Sequence, residues 1–173
     1  MIAASTNSSA TCSPADLLYG DFRAEHAATR RMLERYPAGK NDWRPHPKSR
    51  PLAELATHVA DIVNRGTAVL TTDVMEIGAR KPLVPLTSAA DLLAHFETSL
   101  ARFNAALATA TYEQLEQSWS IRRDGRVLAE NPRRIFLRFL MSSHLAHHRA
   151  RLGVYYRLLD VAVPGMYGPS ADD

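Results

Sequence analysis

The stretch Ser142-Ser143-His144-Leu145-Ala146-His147-His148-Arg149-Ala150-Arg151-Leu152 decides how this chain is read. It holds three of the seven histidines and lies within a longer run carrying apolar residues at Ile135, Phe136, Phe139, Leu140, Leu152, Tyr155, Tyr156 and Leu159. That run follows Asn131-Pro132, a capping residue plus a proline suited to a first helical turn, and stops before Pro164-Gly165. It therefore reads as the last helix. His144 and His148 stand four residues apart, so on a helix they project from one face, one turn apart, and both imidazoles can reach one ion. His147 is three residues from His144 and is an alternative partner for it, but does not share the orientation of His148.

Outward from this helix, Ser13-Pro14 predicts the start of a first helix with a stripe of Leu18, Phe22, Thr29, Met32, Leu33 and Tyr36, ended by Pro37 and Gly39. Residues 40–50, with Pro45 and Pro47, form a connector. Pro51 opens a second helix striped by Leu52, Leu55, Val59, Ile62 and Val63, weakened at Gly66 and ending between Leu70 and Gly78. Beyond a loop over 81–85, Ser88 and Asp91 make a capping box with Asp in the usual place of Glu. The third helix carries Leu92, Leu93, Phe96, Leu100, Phe103 and Leu107, and Thr111 to Gln114 adds a short helical turn. Asp124-Gly125 between alternating segments over 119–128 predicts a two-stranded flap, which must pack on the helices because a lone hairpin is marginal. The expected fold is all-α: an up-down-type four-helix bundle with a small hairpin before the last helix, one domain over 13–173 behind a loose tail at 1–12.

A third ligand for the His144/His148 pair must come from elsewhere, since a catalytic zinc takes three protein ligands and keeps one position open. His58 is the best placed: it lies three residues after Leu55 and four before Ile62, on the apolar side of the second helix. An imidazole there must find a partner or bear the cost of burial. A hydrogen-bonded core histidine satisfies the same spacing. No Glu stands between His144 and His148 where a metalloprotease helix requires one.

Composition narrows the function classes. The 173 residues carry 21 Lys and Arg against 18 Asp and Glu, and the Arg pairs are scattered without interleaved aromatics, so no nucleic-acid partner is expected. No apolar run approaches the ~20 residues of a membrane span, and residues 1–13 lack the pattern of a signal peptide. The single cysteine, Cys12, permits no disulfide within a monomer, in keeping with a cytoplasmic setting.

Taken together, several segments resemble the DinB-like (damage-inducible) family. His144-Leu-Ala-His147-His148-Arg149-Ala-Arg-Leu152, with the tail Val163-Pro164 to Asp172, resembles its C-terminal helix and tail. Glu54-Leu55-Ala-Thr-His58-Val59 resembles its second-helix motif, and Asp124-Gly125 before Asn131-Pro132 its hairpin and final helix entry. The similarity runs from about Leu17 to the end. It implies a four-helix bundle holding one divalent ion, zinc or nickel as a rule, with His58, His144 and His148, and often a homodimer. Family members often have His-Arg-Gly-Gln where this chain has His148-Arg149-Ala150-Arg151, so Arg151 is a departure.

Other residues have two readings. Arg149 steadies the site or pairs with the C-terminal acids. Glu25 and Thr29 are an acid–base pair beside the metal or, the preferred reading, boundary positions on helix one. His26 and His95 read as partly exposed bundle positions and His46 as a loop residue. Trp43 and Trp119 read as packing anchors rather than contacts to metal or substrate. The Tyr167-Gly-Pro-Ser turn is expected to fold back over the bundle end. The resemblance implies a metal-dependent enzyme acting with a small-molecule thiol, a transferase by preference, with hydrolysis as its variant. The alternatives are a non-catalytic metal-binding or stress-response protein and a plain helical interaction domain.

Overall fold

The computed structural model describes residues 14–78 and 83–173, with side chains in the first helix described from Phe22 onward. The expected tail, Cys12 and the Ser13 cap lie outside the described residues, as does the side chain of Leu18. The elements are α1 (Pro14–Glu34), α2 (Leu52–Thr71), β1 (Val74–Glu76), α3 (Ala89–Ala108), α4 (Tyr112–Glu116), β2 (Ser118–Arg123), β3 (Arg126–Pro132), α5 (Arg133–Arg138), a π-helical segment (Phe139–His144) and α6 (Leu145–Leu158). Helical backbone angles run unbroken through Arg138, Phe139, His144 and Leu145, so α5, the π segment and α6 form one continuous helix.

The chain is mostly helical, and the expected all-α bundle with one hairpin needs correction. The flap has a third strand: β1 pairs in parallel with β2, Val74 opposite Ser120, and β2 pairs antiparallel with β3 in the order β1-β2-β3. Three residues of β1 give a weak periodic signal, which is why the sequence pattern missed it. Asp124 and Gly125 both adopt positive φ, 51° and 75°, as a two-residue hairpin loop requires. A bulge between Ile121 and Arg122 leaves Leu128 without an opposite residue. Trp119 fastens the sheet to the helices; it is buried, with its ring 4.9 Å from that of Phe136 in an edge-on contact.

Helix ends follow local chemistry. The Ser88 hydroxyl accepts from the Asp91 N–H at 3.1 Å and donates to the Asp91 carboxylate at 2.6 Å, so the shorter Asp closes the box on the side chain. Pro51 sits at the N-cap of α2, not inside it, and no side chain caps that end. The connector does so instead: Trp43 O accepts from Leu52 N–H and Asn41 O from Ala53 N–H. At the other end of α2, Arg133 is buried and donates to the carbonyls of Val69 and Thr72, with Asp73 beside it at 3.2 Å. Composition marks Arg133 as one of the scattered surface cations; here it ties the start of the last helix to the end of α2.

The core joins all the long helices: Phe22, Met32 and Leu33 from α1, Leu55, Val59 and Ile62 from α2, Phe96 and Phe103 from α3, and Leu137, Met141, Leu145 and Tyr156 from the last helix. Gly66 marks the tightest approach, since a Cβ there would lie 2.8 Å from Met141 Cε and 3.0 Å from Phe103 Cε2. The cost of a mid-helix glycine, roughly 0.5–1 kcal/mol, is accepted for that packing. Ile135 and Phe139, expected on the inner stripe, are instead 41% and 47% exposed. No helix among the described residues is long and apolar enough to cross a membrane.

Candidate metal centre

The π segment sets which residues of the last helix face inward. Arg133, Leu137, Met141, Leu145 and Arg149 are all buried, at successive steps of four. In a regular α-helix each such step overshoots a full turn by about 40°, so four steps would carry the stripe about 160° around the axis. The wider turn at Phe139–His144 absorbs part of this drift. His144 closes the π segment and His148 follows one α-helical turn later.

Facing them, α2 presents His58. The ring centroids of His58 and His148 are 4.3 Å apart, those of His144 and His148 4.6 Å, and those of His58 and His144 5.5 Å. One ligating atom from each of the three lies within 4.8 Å of the others, and no other such group of His, Cys, Asp or Glu occurs among the described residues. His147 is exposed and stays outside the group.

The electrostatics keep these imidazoles neutral. Burial, then the charges of His148, Arg65, Arg50 and His144, push His58 down to about 3. Burial also dominates at His144 and His148, both pushed down to about 4; Arg65, His147 and Arg50 add to the first, and His144, His147, Arg151 and Arg50 to the second. Thus Arg151, the departure from the family pattern, acts on His148 through its charge. Neutral imidazole is the form that binds a metal. Each ring also keeps a buried nitrogen without a hydrogen-bond partner: Nε2 of His58, Nε2 of His144 and Nδ1 of His148. These three nitrogens lack the partner that a buried polar atom ordinarily has, and a shared cation is a partner that suits all three.

A cleft of about 490 Å³ opens against His58, lined by Arg50, Glu54, Thr57, Asp61, Arg65, Leu83 and Pro85. The Asp61 carboxylate accepts from Asn64 at 2.9 Å and lies 3.1 Å from His95 Nε2. His95 is half-buried, as expected, whereas His26 is only 6% exposed, between the rings of Phe96 and Phe103.

Arg149 pairs neither with the metal cluster nor with the C-terminal acids. It is buried and donates to the Glu25 carboxylate at 2.7 Å, to Glu25 O at 2.9 Å, to Thr29 Oγ1 at 3.1 Å and to the Tyr167 hydroxyl at 2.6 Å. Glu25 and Thr29 are thereby committed to Arg149, and they are not an acid–base pair at the histidines. Asp172 is taken by Arg157 at 2.7 Å, and Tyr167 donates to Glu25 at 2.8 Å, so the tail folds back along α1 and α6. Trp43 packs edge-on against Tyr155 at 5.5 Å, and His46 lies exposed in the connector.

Known proteins with this architecture agree. The structure matches a DinB-like protein from Bacillus cereus with a TM-score of 0.69 at 23% identity, over 90% of this chain and 99% of that one. It matches a DinB-like protein from Bacillus subtilis with a TM-score of 0.65 at 20% identity, over 87% and 96% of the two chains. At these identities the likeness speaks for the fold. No curated protein is significantly similar in sequence. The family model of the DinB superfamily matches residues 21–152, a span that includes His58, His144 and His148, and the chain belongs to that superfamily.

Proposed function

We propose that His58, His144 and His148 bind one divalent ion, zinc or nickel, and that the protein is a metal-dependent enzyme acting on a small-molecule thiol. In this reading the long helices form the four-helix bundle of a single domain over 13–173, working in the cytoplasm as a homodimer. The observation that carries it is the trio of converging imidazoles, each with a buried nitrogen left unpartnered. An ion there supplies Lewis acidity and keeps a position for a small-molecule donor. The chain's own residues supply the rest: neutral ligands, a rigid two-helix mount, and a cleft whose wall is His58 itself. That cleft favours an enzyme over a purely structural metal site, because a closed structural site has no use for adjoining space.

Metal analysis of untagged protein tests the site. One equivalent of metal in the wild type, and its loss in His58→Ala, are expected; a wild type that neither carries nor takes up metal sinks the reading. Thiol-transfer assays on fully metallated protein, with a panel of thiols and electrophiles, test the chemistry. No turnover in such a sample favours the non-catalytic alternative.

A further inference from the structure

The cleft beside His58 is chemically uneven. Its described charged residues are two arginines, Arg50 and Arg65, and two acids, Glu54 and Asp61. These four balance. Asp61 accepts from Asn64 on its own helix and lies beside His95 on α3. Three neutral imidazoles contribute no charge, so a divalent ion among them would leave two positive charges facing the cleft. Burying uncompensated charge is costly, and an anionic occupant is the direct remedy.

Resting on the metal reading above, we infer that the cleft takes a small anionic molecule whose oxyanion group, a carboxylate or phosphate, is held by Arg50 and Arg65 while its other end faces the metal cluster at His58. A guanidinium matches the two-oxygen edge of such a group. The apolar wall of Leu83 and Pro85 leaves room for the carbon skeleton between the two ends, and a cleft of about 490 Å³ falls within the usual range for small-molecule sites.

The test uses cobalt(II)-loaded full-length protein and reads visible absorption as thiols are added. Two thiols differ in the charged end only: 3-mercaptopropionate and 2-mercaptoethanol. The wild type should saturate with 3-mercaptopropionate at a concentration about tenfold lower or more, the worth of one charge-assisted hydrogen bond. In Arg50→Gln and in Arg65→Gln that advantage, taken as the ratio of the two thiols within each variant so that any shift common to both cancels, should shrink to about threefold or less. Retained cobalt absorption in both variants certifies their fold. Succinate and inorganic phosphate as competitors identify which oxyanion is preferred. Equal affinity for the two thiols, or an advantage that survives both substitutions, overturns the inference while leaving the metal site standing. A wild type that binds no cobalt overturns the metal reading and this inference together.

Discussion

Arg149 and Glu25, 124 residues apart in sequence, meet in a 2.7 Å ion pair that is almost closed to solvent, and Arg149 is the residue directly after His148. The pair therefore fastens the ligand-bearing helix to α1 just beside the metal cluster. Removing one partner of a buried pair leaves the other charge without compensation, a loss of about 3–5 kcal/mol. Arg149→Ala should lose that much in urea unfolding and should also weaken metal binding by loosening His148. Arg149→Lys should recover only part of the loss, because an ammonium cannot serve Glu25, Thr29 and Tyr167 together. Unchanged stability in Arg149→Ala would show the pair to be ornamental.

Metal removal should behave as ligand linkage. At a metal concentration about 100-fold above Kd, binding adds about 2.7 kcal/mol to the folded state, so chelation should lower Tm and re-addition restore it. Single alanine substitutions at His58, His144 or His148 should each abolish the restorable part, with affinity falling about 100-fold or more, beyond what loss of an outer partner costs. His147→Ala, an exposed position one residue away, should leave both affinity and Tm within error.

Acid should act in two distinct ways. His58, His144, His148 and His26 are held at about 3 to 4 by burial, against about 6.5 in the unfolded chain. Unfolded chains thus bind more protons between those limits, and stability falls as pH falls. Metal-free protein should keep its full stability above about pH 6.5 and lose it progressively towards pH 4. In the folded state protons compete with metal only near pH 4, so affinity measured on folded protein should stay nearly flat from pH 8 to about 5. A tenfold loss of affinity per pH unit already at pH 6 would contradict the buried, neutral state of these rings.

The sequence made much of this legible, and its failures have physical causes. His58 was readable because burial on an apolar stripe singles out a histidine, and His144/His148 because four-residue spacing survives the helix that carries them. Arg149 was ambiguous, since its partner Glu25 lies 124 residues away and local pattern carries no information about it. Arg133 was missed because a buried arginine and a surface one look alike until the carbonyls of α2 are placed beside it. β1 was missed because parallel pairing with β2 joins two segments with α3 between them.

The π segment was missed as well, though the sequence held its signature: apolar and buried positions in steps of four through Leu137, Met141 and Leu145, with Ile135 and Phe139 left outside. A regular helix cannot keep both Leu137 and Arg149 inward. A π turn carries one residue more than an α turn for nearly the same rotation, so the helix on either side of it keeps its phase. Deleting Ser143, an exposed residue within the segment, should therefore convert it to regular α-helix with Arg133, Leu137 and Met141 still in the core and His148 and Arg149 still facing α2 and α1. The deletion variant should unfold cooperatively and still bind metal. Ser143→Ala keeps the residue count and should change stability by less than about 0.5 kcal/mol. A deletion variant that loses cooperative unfolding or metal would show that the extra residue is needed to aim the histidines.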